Sequence, residues 1–151
     1  VYNLCGEGSS NCSIGVGTPS VDRLLLLRRE ALELALYTFK YIAGIQTVVA
    51  ILPPGYTTQH CTGPCTKSQK PVTKALDLAV AFGRTELQPW LERPLRTTLP
   101  ESLPPSVSAM PSSHEAELVS VLTSHGMYSA ATSQGQDGST VITLNGPLPP
   151  Q

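Results

Sequence analysis

From Val21 to Ile42 the chain places apolar side chains at helical intervals: Val21, Leu24, Leu25, Ala31, Leu32, Ala35, Leu36, Phe39 and Ile42. This is the spacing of one helix face. Arg23, Arg28, Arg29, Glu30, Glu33 and Lys40 fall mostly on other faces, so the pattern predicts a long amphipathic helix with a buried stripe and a solvated, charged remainder. Thr18 is placed to cap the first amides, Pro19 suits the first helical position, and Asp22 complements the positive end of the dipole. Gly44 supplies the left-handed residue that ends helices. Ile45 to Leu52, rich in valine and isoleucine, reads as a strand stopped by Pro53, Pro54 and Gly55. Charges at Arg28, Arg29, Glu30 and Glu33 interrupt the apolar run far short of the roughly 20 residues a membrane span needs. Residues 18–53 therefore form a helix–strand unit belonging to a globular core.

The following pattern is shorter-ranged. Leu76, Leu78, Val80 and Phe82 alternate with Ala75, Asp77, Ala79 and Ala81, a period of two that predicts a strand ending at Gly83. Thr85 and Gln88 have capping-box spacing, and Leu87, Trp90, Leu91 and Leu95 make an apolar face. Pro94 ends or kinks that helix, leaving a broken helix or two short turns. Prolines 100, 104, 105 and 111 make residues 99–111 an irregular internal connection over the surface. Ser112 and Glu115 repeat the capping spacing ahead of Leu118, Val119, Val121 and Leu122, predicting a short helix that ends near His125 and Gly126. Met127–Ser133 and Ser139–Leu144 are β-prone runs around the turn Gly135–Gly138, a hairpin signature, and Pro147–Gln151 is a tail. The order helix, strand, strand, broken helix, short helix, hairpin predicts an α+β fold. Its sheet is mainly antiparallel, of about four strands, with the long N-terminal helix packed on one face.

Length adds that residues 1–151 make one domain, long enough to bury a core of its own. The net charge of −1 comes from interspersed acidic and basic groups, which disfavours nucleic acid as a partner. Charged residues are 14% of the chain against about a quarter in ordinary soluble domains, and proline is abundant, which points to long Pro/Ser/Thr loops and an unseen partner or membrane neighbour; the partner expected is a protein or a second copy in a homo-oligomer. The chain starts at Val1 with a polar, glycine-rich segment, residues 1–17, rather than a signal core. The expectation is that a signal peptide or membrane anchor preceded Val1, any membrane contact being made through it.

The four cysteines form two local pairs, Cys5 with Cys12 and Cys61 with Cys65. Two short disulfides are the economical reading, because Gly6 and Gly8 in the first loop and Gly63 and Pro64 in the second let the chain turn back on itself, and an oxidising, extracytoplasmic compartment follows from it. Crossed bridges remain open. So does a zinc site built from Cys5, Cys12, Cys61 and Cys65 with His60 as a substitute ligand, although six residues between Cys5 and Cys12 exceed the usual gap. A redox dithiol at Cys61 and Cys65 with His60 is the further alternative; its three-residue spacing departs from the two-residue motif.

Other chemistry is sparse. No Gly-X-Ser-X-Gly elbow occurs, and the glycines of residues 6–17 lack the lysine of a phosphate loop. His114 and His125 bracket the short helix as cap or surface residues, while Glu30 and Glu33 beside Arg28 and Arg29 read as solvated ion-pair partners. No catalytic residue and no cofactor is indicated, and the balance leans away from an enzyme.

The segment Leu27-Arg28-Arg29-Glu30-Ala31-Leu32-Glu33-Leu34-Ala35-Leu36-Tyr37-Thr38-Phe39-Lys40, continuing to Ile42, resembles a stretch of membrane-anchored extracytoplasmic bacterial proteins. That resemblance implies a signal or anchor ahead of Val1 and transfers no functional residue. The resulting expectation is an extracytoplasmic interaction or structural domain.

Overall fold

The computed structural model describes residues 1–4, 19–60 and 72–148, with 54–60 and 72–76 described by their backbone alone. Among the described residues five strands form one sheet in the order β1-β2-β3-β4-β5: Tyr2–Asn3, Thr47–His60, Val72–Gly83, Met127–Gln134 and Thr140–Asn145. Strands β2 to β5 pair antiparallel in chain order, β4 and β5 joined by a short turn and β3 and β4 by the segment that carries the later helices, and β1 lies parallel to β2, with Tyr2 opposite Ala50. The helices are α1 (Val21–Tyr41), α2 (Arg84–Leu91) and α3 (Ala116–Ser124). The α+β class and the long N-terminal helix are as the pattern predicts; β1 is a fifth strand, too short at two residues to show an alternation.

Helix α1 buries Leu24, Leu27, Ala31, Leu32, Ala35, Leu36 and Phe39 against Val48, Ala50 and Leu52 of β2 and Leu78, Val80 and Phe82 of β3. These strand residues alternate, so they share one face of the sheet. Val21 and Ile42, expected on the buried stripe, are 72% and 50% exposed because they sit at the two ends of the helix, beyond the reach of the sheet. The cap also moves. Thr18 lies outside the described residues, Pro19 precedes the helix, and Ser20 is the N-cap, its hydroxyl accepting the Arg23 amide at 3.1 Å.

Residues Pro53, Pro54 and Gly55 do not stop β2. The ladder passes from Leu52 opposite Leu78 to Tyr56 opposite Leu76, so four steps on β2 match two on β3. A bulge absorbs the prolines, and among the described residues β1 pairs with β2 at Ala50 and Ile51, so no described strand needs their missing amides on that side.

Helix α2 starts at Gly83, whose amide donates to Glu86 Oε2 at 3.1 Å, in place of the expected Thr85 and Gln88 pair. It ends before Pro94, and Leu95–Thr97 follow as a 3-10 turn, the broken helix that the proline predicts. The end of α1 and the end of α2 close one another. Arg84 donates to the carbonyls of Ile45 at 2.7 Å and Ile42 at 3.0 Å, while Lys40 donates to the Leu91 carbonyl. Both cations sit where unpaired carbonyls accumulate.

Candidate functional site

Sequence reasoning places Arg28, Arg29, Glu30 and Glu33 in solvent; the structure corrects this for both arginines. Arg28 and Arg29 are 4% and 1% exposed, because α3 and the segment after Leu99 pack over that side of α1. Arg28 donates to Thr123 Oγ1 at 2.5 Å and to the Ser120 carbonyl at 2.9 Å, and burial pushes its guanidinium below the ordinary value. Arg29 donates through Nε to Glu115 Oε2 at 2.7 Å, through one terminal nitrogen to Glu33 at 2.6 Å and Glu30 at 3.1 Å, and through the other to the Glu101 carbonyl at 2.8 Å. Burial works against its charge, and Glu115 and Glu33 more than offset that, leaving it above the ordinary value.

Glu115 is the residue that sequence reasoning misassigned. It occupies the cap of α3, makes no side-chain cap bond, and directs its carboxylate inward, where Oε1 accepts the Glu101 amide at 2.9 Å. The result is a buried clamp joining α1, the proline-rich connection and α3. Its chemistry is structural: each of its donors is satisfied by a carboxylate or a carbonyl of the fold.

A different place is open to solvent. Between α2, the end of α3 and the adjoining ends of β2, β3 and β4 lies a groove of about 570 Å³. Its floor is Phe82 and Leu87, its walls are Trp90, Leu122 and Tyr128, and its rim carries Glu86, Val121 and His125. Gly126 also lines it, where β4 meets β3. A Cβ there would stand 2.2 Å from the Ala81 carbonyl oxygen, and the Gly126 carbonyl accepts the Ala81 amide at 2.8 Å, so β4 can enter the sheet only without a side chain. Trp90 is half-buried against the core, and Val121 is 59% exposed. Apolar and aromatic groups beneath a polar rim are the anatomy of a recognition surface.

A smaller cavity of about 210 Å³ lies between α1 and residues 95–102, lined by Glu33, Leu36, Tyr37 and Arg96. Tyr37 and Tyr41 stack at 5.8 Å beside it on the exposed side of α1. Glu33 is already held by Arg29, and Glu101, whose backbone joins the clamp, lines the cavity as well.

No family model, curated protein or solved structure matches this chain.

The cysteine readings, bridged or zinc-bound, rest on Cys5, Cys12, Cys61 and Cys65, all outside the described residues. His60 lies at the far end of the β2–β3 ladder, opposite Val72. Among the described residues no three His, Asp or Glu side chains gather as metal ligands, and no helix is long and apolar enough to cross a membrane. His114 is exposed, and His125 lines the groove. Trp90 was legible as part of an apolar face, but not as half of that face left uncovered.

Proposed function

We propose that this chain is an interaction or structural domain working outside the cytoplasm, as part of an exported or membrane-anchored protein, and that a protein partner seats an apolar side chain in the groove beside Trp90. The observation that carries the reading is the groove itself: a half-buried tryptophan at its wall, apolar floor, and charged or titratable groups confined to the rim. Tryptophan at the centre of a desolvated pocket is the residue type that dominates binding energy at protein interfaces. The low content of charged residues supports it, and the paired cysteines support the compartment.

The test is site-specific photo-crosslinking from Val121, in the full protein in its own cells. The expected result is a discrete adduct with one partner that disappears with Trp90→Ala and with Leu122→Ala. It should persist with Leu103→Ala, an exposed position away from the groove. Adducts indifferent to Trp90 overturn the reading. Alkylation of the same material without reductant tests the compartment: blocked cysteines accord with it and four reactive thiols contradict it.

A further inference from the structure

The outer edge of β5 goes beyond the groove and stands independently of it. The Gly135 amide donates to the Ser139 carbonyl at 2.7 Å, and at the other end of β4 the Gly126 carbonyl points to β3 while that of Met127 points to Leu148. Antiparallel ladders alternate strictly, so the hydrogen-bonded pairs of this hairpin are Ser133 with Val141, Ala131 with Thr143, and Ser129 with Asn145. The amides and carbonyls of Thr140, Ile142 and Leu144 therefore point away from β4, along an edge with which no other strand of the described residues pairs, the side chains of Thr140 and Ile142 meanwhile lining a small cavity with Asn3 and Ile51.

Natural edge strands of monomers are protected by charge, proline, a bulge or brevity. Strand β5 runs Thr-Val-Ile-Thr-Leu-Asn over six residues in unbroken register, with none of these devices. Asp137, in the turn, is the single charged residue from Met127 to Gln151. Val141 and Leu144 are 45% and 36% exposed.

We infer that this edge pairs with the β5 edge of a second copy, antiparallel, with Ile142 opposite Ile142 on the two-fold axis. An odd set of outward residues, 140, 142 and 144, is self-complementary about its middle member. Thr140 then meets Leu144 of the other copy, giving three pairs and about six backbone hydrogen bonds. On the other face Val141 stands opposite Thr143, a β-branched pairing that favours sheets. The two Asp137 carboxylates end up about ten residues apart along the strands, on the order of 30 Å at 3.4 Å per residue, well beyond the ~8–10 Å screening length. Nothing in the edge repels its own copy.

Two measurements test it. In sedimentation equilibrium the chain of 16.0 kDa should double its mass. Val141→Lys alone, and Thr143→Glu alone, should each shift it to monomer, and their mixture should restore a mixed dimer, because only this register sets 141 against 143. Amide exchange on the unaltered chain gives a reading free of mutational damage. The amides of Thr140, Ile142 and Leu144 should slow as concentration rises, while those of Val141 and Thr143 keep one rate. A monomer at every concentration, or a dimer whose 140, 142 and 144 amides exchange freely, overturns the inference and leaves the Trp90 groove to its own test.

Discussion

Arg29 and Glu115 show how much one misread side chain alters the picture. The pair is almost fully buried, with side chains 1% and 0% exposed, so its worth lies in what its loss leaves behind. Removing one partner of such a pair strands the other and costs about 3–5 kcal/mol, whereas replacing both with apolar groups is far less costly. Glu115→Ala should therefore destabilise by that amount in chemical denaturation. Arg29→Met combined with Glu115→Leu should cost less than the sum of the singles, offset in part by the Glu101 amide that loses its acceptor. Glu30 behaves oppositely. Burial holds its carboxyl above the ordinary value despite the Arg29 contact. A raised folded-state value means that the native state holds the proton more tightly, so this group's contribution falls as pH rises from about 4.3 through the folded value. Glu30→Gln removes that decline: its stability relative to the unaltered protein should increase from pH 4 to pH 7 in parallel melts. A constant difference across that window contradicts the assignment.

At the scale of elements, periodicity and punctuation were legible where local chemistry decides the outcome. The alternation over Ala75–Phe82, the stop at Pro94 and the turn Gly135–Gly138 all appear where the pattern predicts them. What was not legible depends on partners distant in the chain. Glu115 has capping-box spacing with Ser112, yet Arg29, 86 positions earlier, claims its carboxylate. Pro53 and Pro54 look like a terminus, yet a strand that no described residue pairs with there on one side tolerates them. Strand β1 carries no signal because two residues have no period. The helix prediction is sharpest in its buried stripe. Leu32→Ala, at 0% exposure, should cost about 2–5 kcal/mol, whereas Val21→Ala at the exposed start should stay within about 0.5. Equal effects would place the stripe wrongly. Gly126→Ala should cost about 1–3 kcal/mol through collision with the Ala81 carbonyl, read as a lowered melting temperature.

For the molecule as a whole, one face of the sheet is given to α1 and the core. The β4–β5 hairpin reaches toward the β1 edge on the opposite face, where Ile142 and Thr140 share a small cavity of about 110 Å³ with Asn3 and Ile51. The site was less legible than the fold. The proportion of charged residues suggested a partner, but the location of the groove depends on α2 and α3 flanking the same sheet ends, a product of topology. Trp90 is the single tryptophan of the chain, so emission excited selectively from tryptophan, beyond the tyrosine absorption, reports on that groove alone. The direct test of the interaction reading is to titrate the chain with the partner captured from Val121 and follow that emission, using a partner segment that itself lacks tryptophan. Seating an apolar side chain against the indole removes water from it, so the account predicts a shift to shorter wavelength that saturates with binding; saturated binding with unchanged Trp90 emission would contradict it.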